Sequence, residues 1–70
     1  MKKNILNKLA RQIIKYRKDL GMTQEDLSKK TGISRSSIAM IETAKRDITI
    51  SNLSKIAKAL NISLSELTKF

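Results

Sequence analysis

Seventy residues without a single cysteine or histidine lack disulfides, thiolate metal sites and the commonest general base, so an enzyme is not expected, nor a bound metal or cofactor. Fifteen Lys and Arg stand against six Asp and Glu, for a net charge of +9, and a chain that basic suits nucleic acid or an anionic surface as partner. Tyr16 and Phe70 are its only aromatics, too few for a base-stacking platform, which favours double-stranded DNA held at its phosphates over single strands.

The first element is helical. Leu6, Leu9, Ala10, Ile13, Tyr16, Arg17 and Leu20 recur at spacings of three and four, and Gly21 is the C-terminal stop. Arg17 is a charge lying on that apolar stripe. Residues 1–18 carry seven Lys and Arg and no acid, which raises the alternative of a basic helix at a membrane surface. Such helices show Trp or Phe on the apolar face, and this one shows aliphatics and Tyr16. "MKKNILNKLARQ" has no continuous apolar core of a signal peptide, and no run approaches the ~20 residues of a membrane span. The expectation is a soluble, cytoplasmic protein with no membrane partner.

Thr23 offers an N-cap to a second helix, about Gln24 to Thr31, with Glu25 and Asp26 where the helix dipole favours acids. It buries Leu27 and stops at Gly32. Ser34 caps a third helix, about Arg35 to Thr43, which points Ile38 and Ile41 inward. "TAKRDIT" is a basic connection. Thr49 or Ser51 caps a fourth helix with the stripe Ile50, Leu53, Ile56, Ala57 and Leu60, closed by Asn61. Ser63 and Glu66 form a capping box for a last short helix carrying Leu64, Leu67 and Phe70. The whole predicts an all-α fold, a compact five-helix bundle of one domain over residues 1–70.

Two short helices joined by a three-residue turn containing glycine are the parts of a helix-turn-helix, here about residues 24–43. Ser28 keeps the helix crossing close, Gly32 turns the chain, and Ile33, Ile38 and Ile41 lock the second helix onto the first. "YRKDLGMTQEDLSKKTGISRSSIAMIE" resembles the helix-turn-helix of the phage-repressor-like, or XRE, transcription regulators. "LSKIAKALNISLSEL" resembles the two helices that complete this lambda-repressor-like domain, so the likeness covers residues 6–68. Within the family, "TAKRDITISNLSKIAKAL" after the recognition helix is similar to the controller proteins of restriction–modification systems. Small phage repressors and antitoxins share the same skeleton, and a protein-interaction module that has lost DNA binding is a further alternative.

The resemblance implies site roles residue by residue. Arg35, Ser36, Ala39 and Met40 would face the bases, with Arg35 able to bond both O6 and N7 of guanine, and Ala39 and Met40 offering apolar contact to a thymine methyl. Met40 is equally readable as partial core. Gln24, Ser34, Ser37, Lys45, Arg46 and Asn52 would contact phosphates. Thr43 and Ala44 depart from the pattern, where a basic or glycine-like residue is common. Arg17 would pair with Glu42 as a structural ion pair.

One recognition helix reads too few base pairs to select a site in a genome, so a homodimer on a two-fold operator is expected. Ile48, Ile50, Leu64, Leu67 and Phe70 are its candidate interface. The resemblance also implies paired dimers on adjacent sites and RNA polymerase as a partner, in a nucleoid-associated bacterial or phage-encoded protein.

Overall fold

A computed structural model describes residues 2–70, with side chains from residue 4 onward, so Lys2 and Lys3 of the basic N-terminal run lie outside the described side chains. Five helices follow in chain order: α1 (Lys2–Asp19), α2 (Gln24–Thr31), α3 (Arg35–Glu42), α4 (Ile50–Ala59) and α5 (Leu64–Leu67). There is no strand among the described residues, and none of their helices is long and apolar enough to cross a membrane.

Every helix sends at least one side chain to a common centre. Ile13 of α1, Leu27 of α2, Ile38 of α3, Ile56 of α4 and Leu67 of α5 are fully buried there, with Leu60 at the end of α4. Helix α3 packs against α1 and α2, α2 also packs against α4, and α5 closes the bundle between α4 and α1. The α5 contact is reinforced by polar bonds. Tyr16 Oη donates to Glu66 Oε2 at 3.2 Å, and Gln12 Nε2 donates to the Lys69 carbonyl at 3.3 Å.

Side-chain caps begin four of the helices. Thr23 Oγ1 accepts from Asp26 N while the Asp26 carboxylate accepts from Thr23 N, a complete capping box. That bond to a backbone N–H holds the Asp26 carboxyl below its ordinary range. Ser34, Thr49 and Ser63 accept from the third residue of α3, α4 and α5. Thr49 rather than Ser51 is the α4 cap. The Ser63 capping box is only half made, because the Glu66 carboxylate takes the Tyr16 hydroxyl instead.

Two expectations of the stripes and one helix boundary are corrected. Leu20 is 54% exposed, because α1 ends at Asp19 and the bonds Gly21 N to Lys18 O and Met22 N to Arg17 O break the helical phase. Met22 takes its place against the core. Ile50 is 70% exposed, as the first residue of α4, ahead of the turn that packs. Helix α3 ends at Glu42, with Thr43 as its C-cap.

The end of α3 is also where the backbone is least comfortable. Lys45 N bonds to Met40 O at 2.9 Å and Ala44 N to Ile41 O at 3.1 Å, the paired bonds of a Schellman cap. That cap needs a left-handed residue, and Ala44 supplies it at φ 58°. Gly21 and Gly32 do the same work at two other helix ends without a Cβ clash. The expected departure at Ala44 therefore leaves the turn geometry intact and puts strain into one residue. Replacing it with glycine, Ala44→Gly, should stabilise the fold by about 1 kcal/mol. Thermal unfolding reads this as a higher Tm; an unchanged or lower Tm would show that the turn carries no such strain.

Candidate nucleic-acid interface

The turn between α2 and α3 is held by side chains as well as by Gly32. Ser28 Oγ donates to the Ile33 carbonyl, Thr31 Oγ1 donates to Leu27 O at 2.8 Å, and Ile33 N donates back to Thr31 Oγ1 at 3.1 Å. Ser28 thus does more than stay small at the crossing: its hydroxyl fastens the turn. Ile33, Ile38 and Ile41 are buried, which fixes the inner side of α3.

The far end of α3 is fixed by charge. Arg17 Nε donates to Glu42 Oε2 at 2.7 Å and Arg17 Nη2 to Glu42 Oε1 at 2.9 Å, a two-pronged pair. The side chains are 11% and 3% exposed. Arg17 Nη1 also donates to the Met22 carbonyl at 2.8 Å, and Gln24 Nε2 to Glu42 Oε1 at 3.0 Å. No buried side-chain nitrogen or oxygen among the described residues is left without a partner. The bonds to Glu42 hold the guanidinium above its ordinary pKa, against the desolvation that lowers it. One network therefore joins the last turn of α1, the first residue of α2 and the last residue of α3.

Gln24 was expected at a phosphate, and the structure gives its amide an inward partner that sequence spacing does not reveal. Its Nε2 donates to Glu42, and the residue is half-buried as the first of α2.

The outer side of α3 carries a different set. Arg35 and Ser36 are exposed, Ala39 is half-buried, and Met40 is 42% exposed, which settles Met40 as a surface residue rather than core. At the N-terminus, Arg46 Nη1 donates to Ser37 Oγ at 2.8 Å, Ser34 Oγ donates to Ser37 Oγ at 2.9 Å, and Ser37 N donates to Ser34 Oγ at 3.2 Å. Ser34, Ser37 and Arg46 form one polar chain beside the exposed turn, although nine residues separate Ser37 from Arg46. There is no acid in the first turn of α3 to repel an anion. Lys45 is exposed next to Arg46, and Asn52 is half-buried in the first turn of α4.

The candidate dimer residues separate. Leu67 is fully buried beneath α1 and α4, so it closes the core and cannot meet a partner. Leu64 packs beside Ala57 and Ile62, away from the others. Ile48, Ile50 and Phe70 line one apolar groove together with Ile5, Leu6 and Leu9. Ile5 was not anticipated; its position one residue off the α1 stripe is the only sequence signal.

These elements are those of a known class. The helix-turn-helix family matches residues 13–67, and the chain belongs to it, as a helix-turn-helix transcriptional regulator. Within that class it is similar to restriction–modification controller proteins. It is 37% identical over 59 residues to control protein C.SmaI of Serratia marcescens, covering 84% of this chain and 70% of that one. The crystal structure of the controller protein C.AhdI from Aeromonas hydrophila superposes with a TM-score of 0.86 at 32% identity, covering 89% of this chain and 94% of that one. The wild-type controller protein C.Esp1396I gives a TM-score of 0.84 at 39% identity, covering 91% and 86%.

Breaking the network at Glu42 should be costly, since Glu42→Ala leaves a buried guanidinium unpaired, a loss of about 3–5 kcal/mol. Denaturant unfolding should show the midpoint falling sharply, and the double variant Arg17→Met with Glu42→Leu should recover most of it. A Glu42→Ala midpoint within error of the parent would contradict the role assigned to the pair.

Proposed function

We propose that this protein is a sequence-specific double-stranded-DNA-binding regulator, acting as a homodimer on a two-fold operator as a restriction–modification controller. The observation that carries the reading is the two-sidedness of α3. Its inner face and its C-terminal end are locked by Ile38, Ile41 and Glu42, while Arg35 and Ser36 stand free on the outer face. A helix fixed in this way offers its outer side chains to a groove at little entropic cost.

Arg35 reads a guanine through O6 and N7, and Ser36, Ala39 and Met40 complete the base-facing set. Ser34, Ser37 and Arg46, joined as one chain, take a phosphate beside it; Lys45, Asn52 and the free groups of Gln24 take others. The net charge of +9 supplies the attraction that brings the duplex in.

Dimerisation is supported by where apolar surface is exposed. Ile5, Ile50 and Phe70 are 51%, 70% and 54% exposed, and all three border the same groove. That groove shares no lining residue with the reading face. The molecule measures 30 × 23 × 20 Å, so two copies meeting side by side can set their α3 helices one DNA turn apart, about 34–36 Å. Similarity to the controller proteins supports the narrower biological assignment over an antitoxin or phage repressor.

Binding to a duplex selected from random sequence should weaken by about 1,000-fold or more between 50 and 200 mM salt if six or more phosphates are contacted. Arg35→Ala should abolish preference for one guanine in each half-site. No binding to any duplex would overturn the reading, and uniform weakening on all sequences would make Arg35 a phosphate contact. Sedimentation should show a dimer for the parent and a monomer for Ile50→Glu; a dimer that tolerates Ile50→Glu would place the interface elsewhere.

A further inference from the structure

Two adjoining clefts along α4 are explained by neither the core, the outer face of α3 nor the dimer groove. The larger, of about 780 Å³, lies among the C-terminal ends of α1, α2 and α4, with Leu20, Met22, Lys30, Lys55 and Lys58 in its walls. The smaller, of about 410 Å³, continues past Ile62 and Leu64 at the start of α5. Lys58 and Asn61 line both, so the two form one track.

The track combines hydrocarbon with uncompensated positive charge. Leu20 is 54% exposed in the larger cleft, with Met22 half-buried beside it, and Ile62 and Leu64 are half-buried in the smaller. Lys30, Lys55 and Lys58 are exposed, and none makes an ion pair with a described residue. No carboxylate lines either cleft. Asp19 precedes Leu20 in the chain but acts on Tyr16, and Glu66 accepts from the Tyr16 hydroxyl. Lys30 and Lys58 stand in the last turns of α2 and α4, where they offset the negative helix ends. Lys55 lies a turn earlier and has no such task.

We propose that this track docks an extended acidic segment of a partner protein, one that carries an apolar side chain on either side of its carboxylates. Charge complementarity selects an anion, and the hydrocarbon selects which kind. A small anion is held by fixed donors, whereas these lysines are exposed point charges on flexible stems. No buried side-chain nitrogen or oxygen among the described residues is left over to help them. A phosphate backbone would satisfy the lysines but has nothing to cover Leu20 or Leu64. A peptide supplies both, and the Asn61 amide, shared by the two clefts, offers its backbone a donor and an acceptor. Seven extended residues span roughly 23 Å, enough to follow the track across a molecule of 30 × 23 × 20 Å. The track shares no residue with the proposed base and phosphate contacts or with the dimer groove, so a docked segment leaves those surfaces uncovered.

The test is selection of displayed random heptapeptides on the full chain, followed by amide NMR with synthetic copies of those enriched. Acidic cores flanked by Leu, Ile, Met or Phe should be enriched. They should shift Leu20, Lys58, Asn61 and Leu64 and leave Arg35 and Ser36 unmoved. Leu20→Ser removes a side chain that the core does not use; it should weaken these peptides about fivefold with Tm and duplex affinity unchanged. Changing Lys30, Lys55 and Lys58 together to Gln should weaken them about tenfold, and hepta-aspartate should bind less tightly than the enriched peptides. Enriched peptides without acids, equal binding of hepta-aspartate, indifference to Leu20→Ser, or shifts outside the track would each overturn the proposal. So would shifts of Leu20 and Lys58 on adding duplex DNA alone, which would make the track a nucleic-acid contact.

Discussion

A guanidinium and a carboxylate withdrawn from water in a protein this small must satisfy each other, since the desolvation of either alone costs several kcal/mol. Arg17 and Glu42 do so with two bonds of 2.7 and 2.9 Å, and their positions determine what the pair organises. Arg17 lies in the last turn of α1, Glu42 is the last residue of α3, and the surplus donors and acceptors reach Met22 and Gln24 at the entry to α2. Three chain segments are held at one point by directional bonds. Apolar contacts from Ile38 and Ile41 resist separation of α3 from the core but resist rotation less well. The ion pair, at the end of the same helix, supplies the missing directional restraint.

With the roll of α3 set, its outer surface becomes a defined pattern. Hydrogen-bonding side chains come first, hydrocarbon follows, and the Ser34–Ser37–Arg46 chain lies alongside. The Arg46 part of that chain follows the turn after α3, where Ala44 takes a left-handed backbone and the Arg46 side chain reaches back to Ser37 in the first turn of the helix. The apolar groove of Ile5, Ile48, Ile50 and Phe70 is made from other residues altogether. The proposed reading and pairing surfaces thus share no residue.

Much of this was legible in the residues. The caps Thr23, Ser34, Thr49 and Ser63, the stops Gly21 and Gly32, and the stripes of three and four are local signals, and each needs only neighbours within a helical turn. The same locality explains what was misread. Leu20 and Ile50 have the spacing of the stripe, but each lies where helical phase is being lost or has just begun. Leu67 has the same pattern whether it closes a core or meets a second molecule; only the packing of α5 between α1 and α4 distinguishes them. Glu66 reads as half of a capping box until Tyr16, fifty residues away, takes its carboxylate. The Gln24 bond to Glu42 and the Arg46 bond to Ser37 join residues on different elements, and no periodicity encodes them. Arg17 stands out locally as a charge on an apolar stripe, but its partner Glu42 lies on another helix, and it is the family resemblance, not periodicity, that implies the pair.

The claim on which the rest turns is that the restrained outer face of α3 is where duplex DNA lies. Backbone amide NMR of the full chain, recorded with and without its selected duplex, tests this most directly. The expected result is that shifts concentrate at Arg35, Ser36, Ala39 and Met40, extend to Gln24, Lys45, Arg46 and Asn52, and leave the cleft of Leu20 and Lys58 unperturbed. Shifts centred on that cleft, or on the exposed side of α1 with α3 silent, would contradict it.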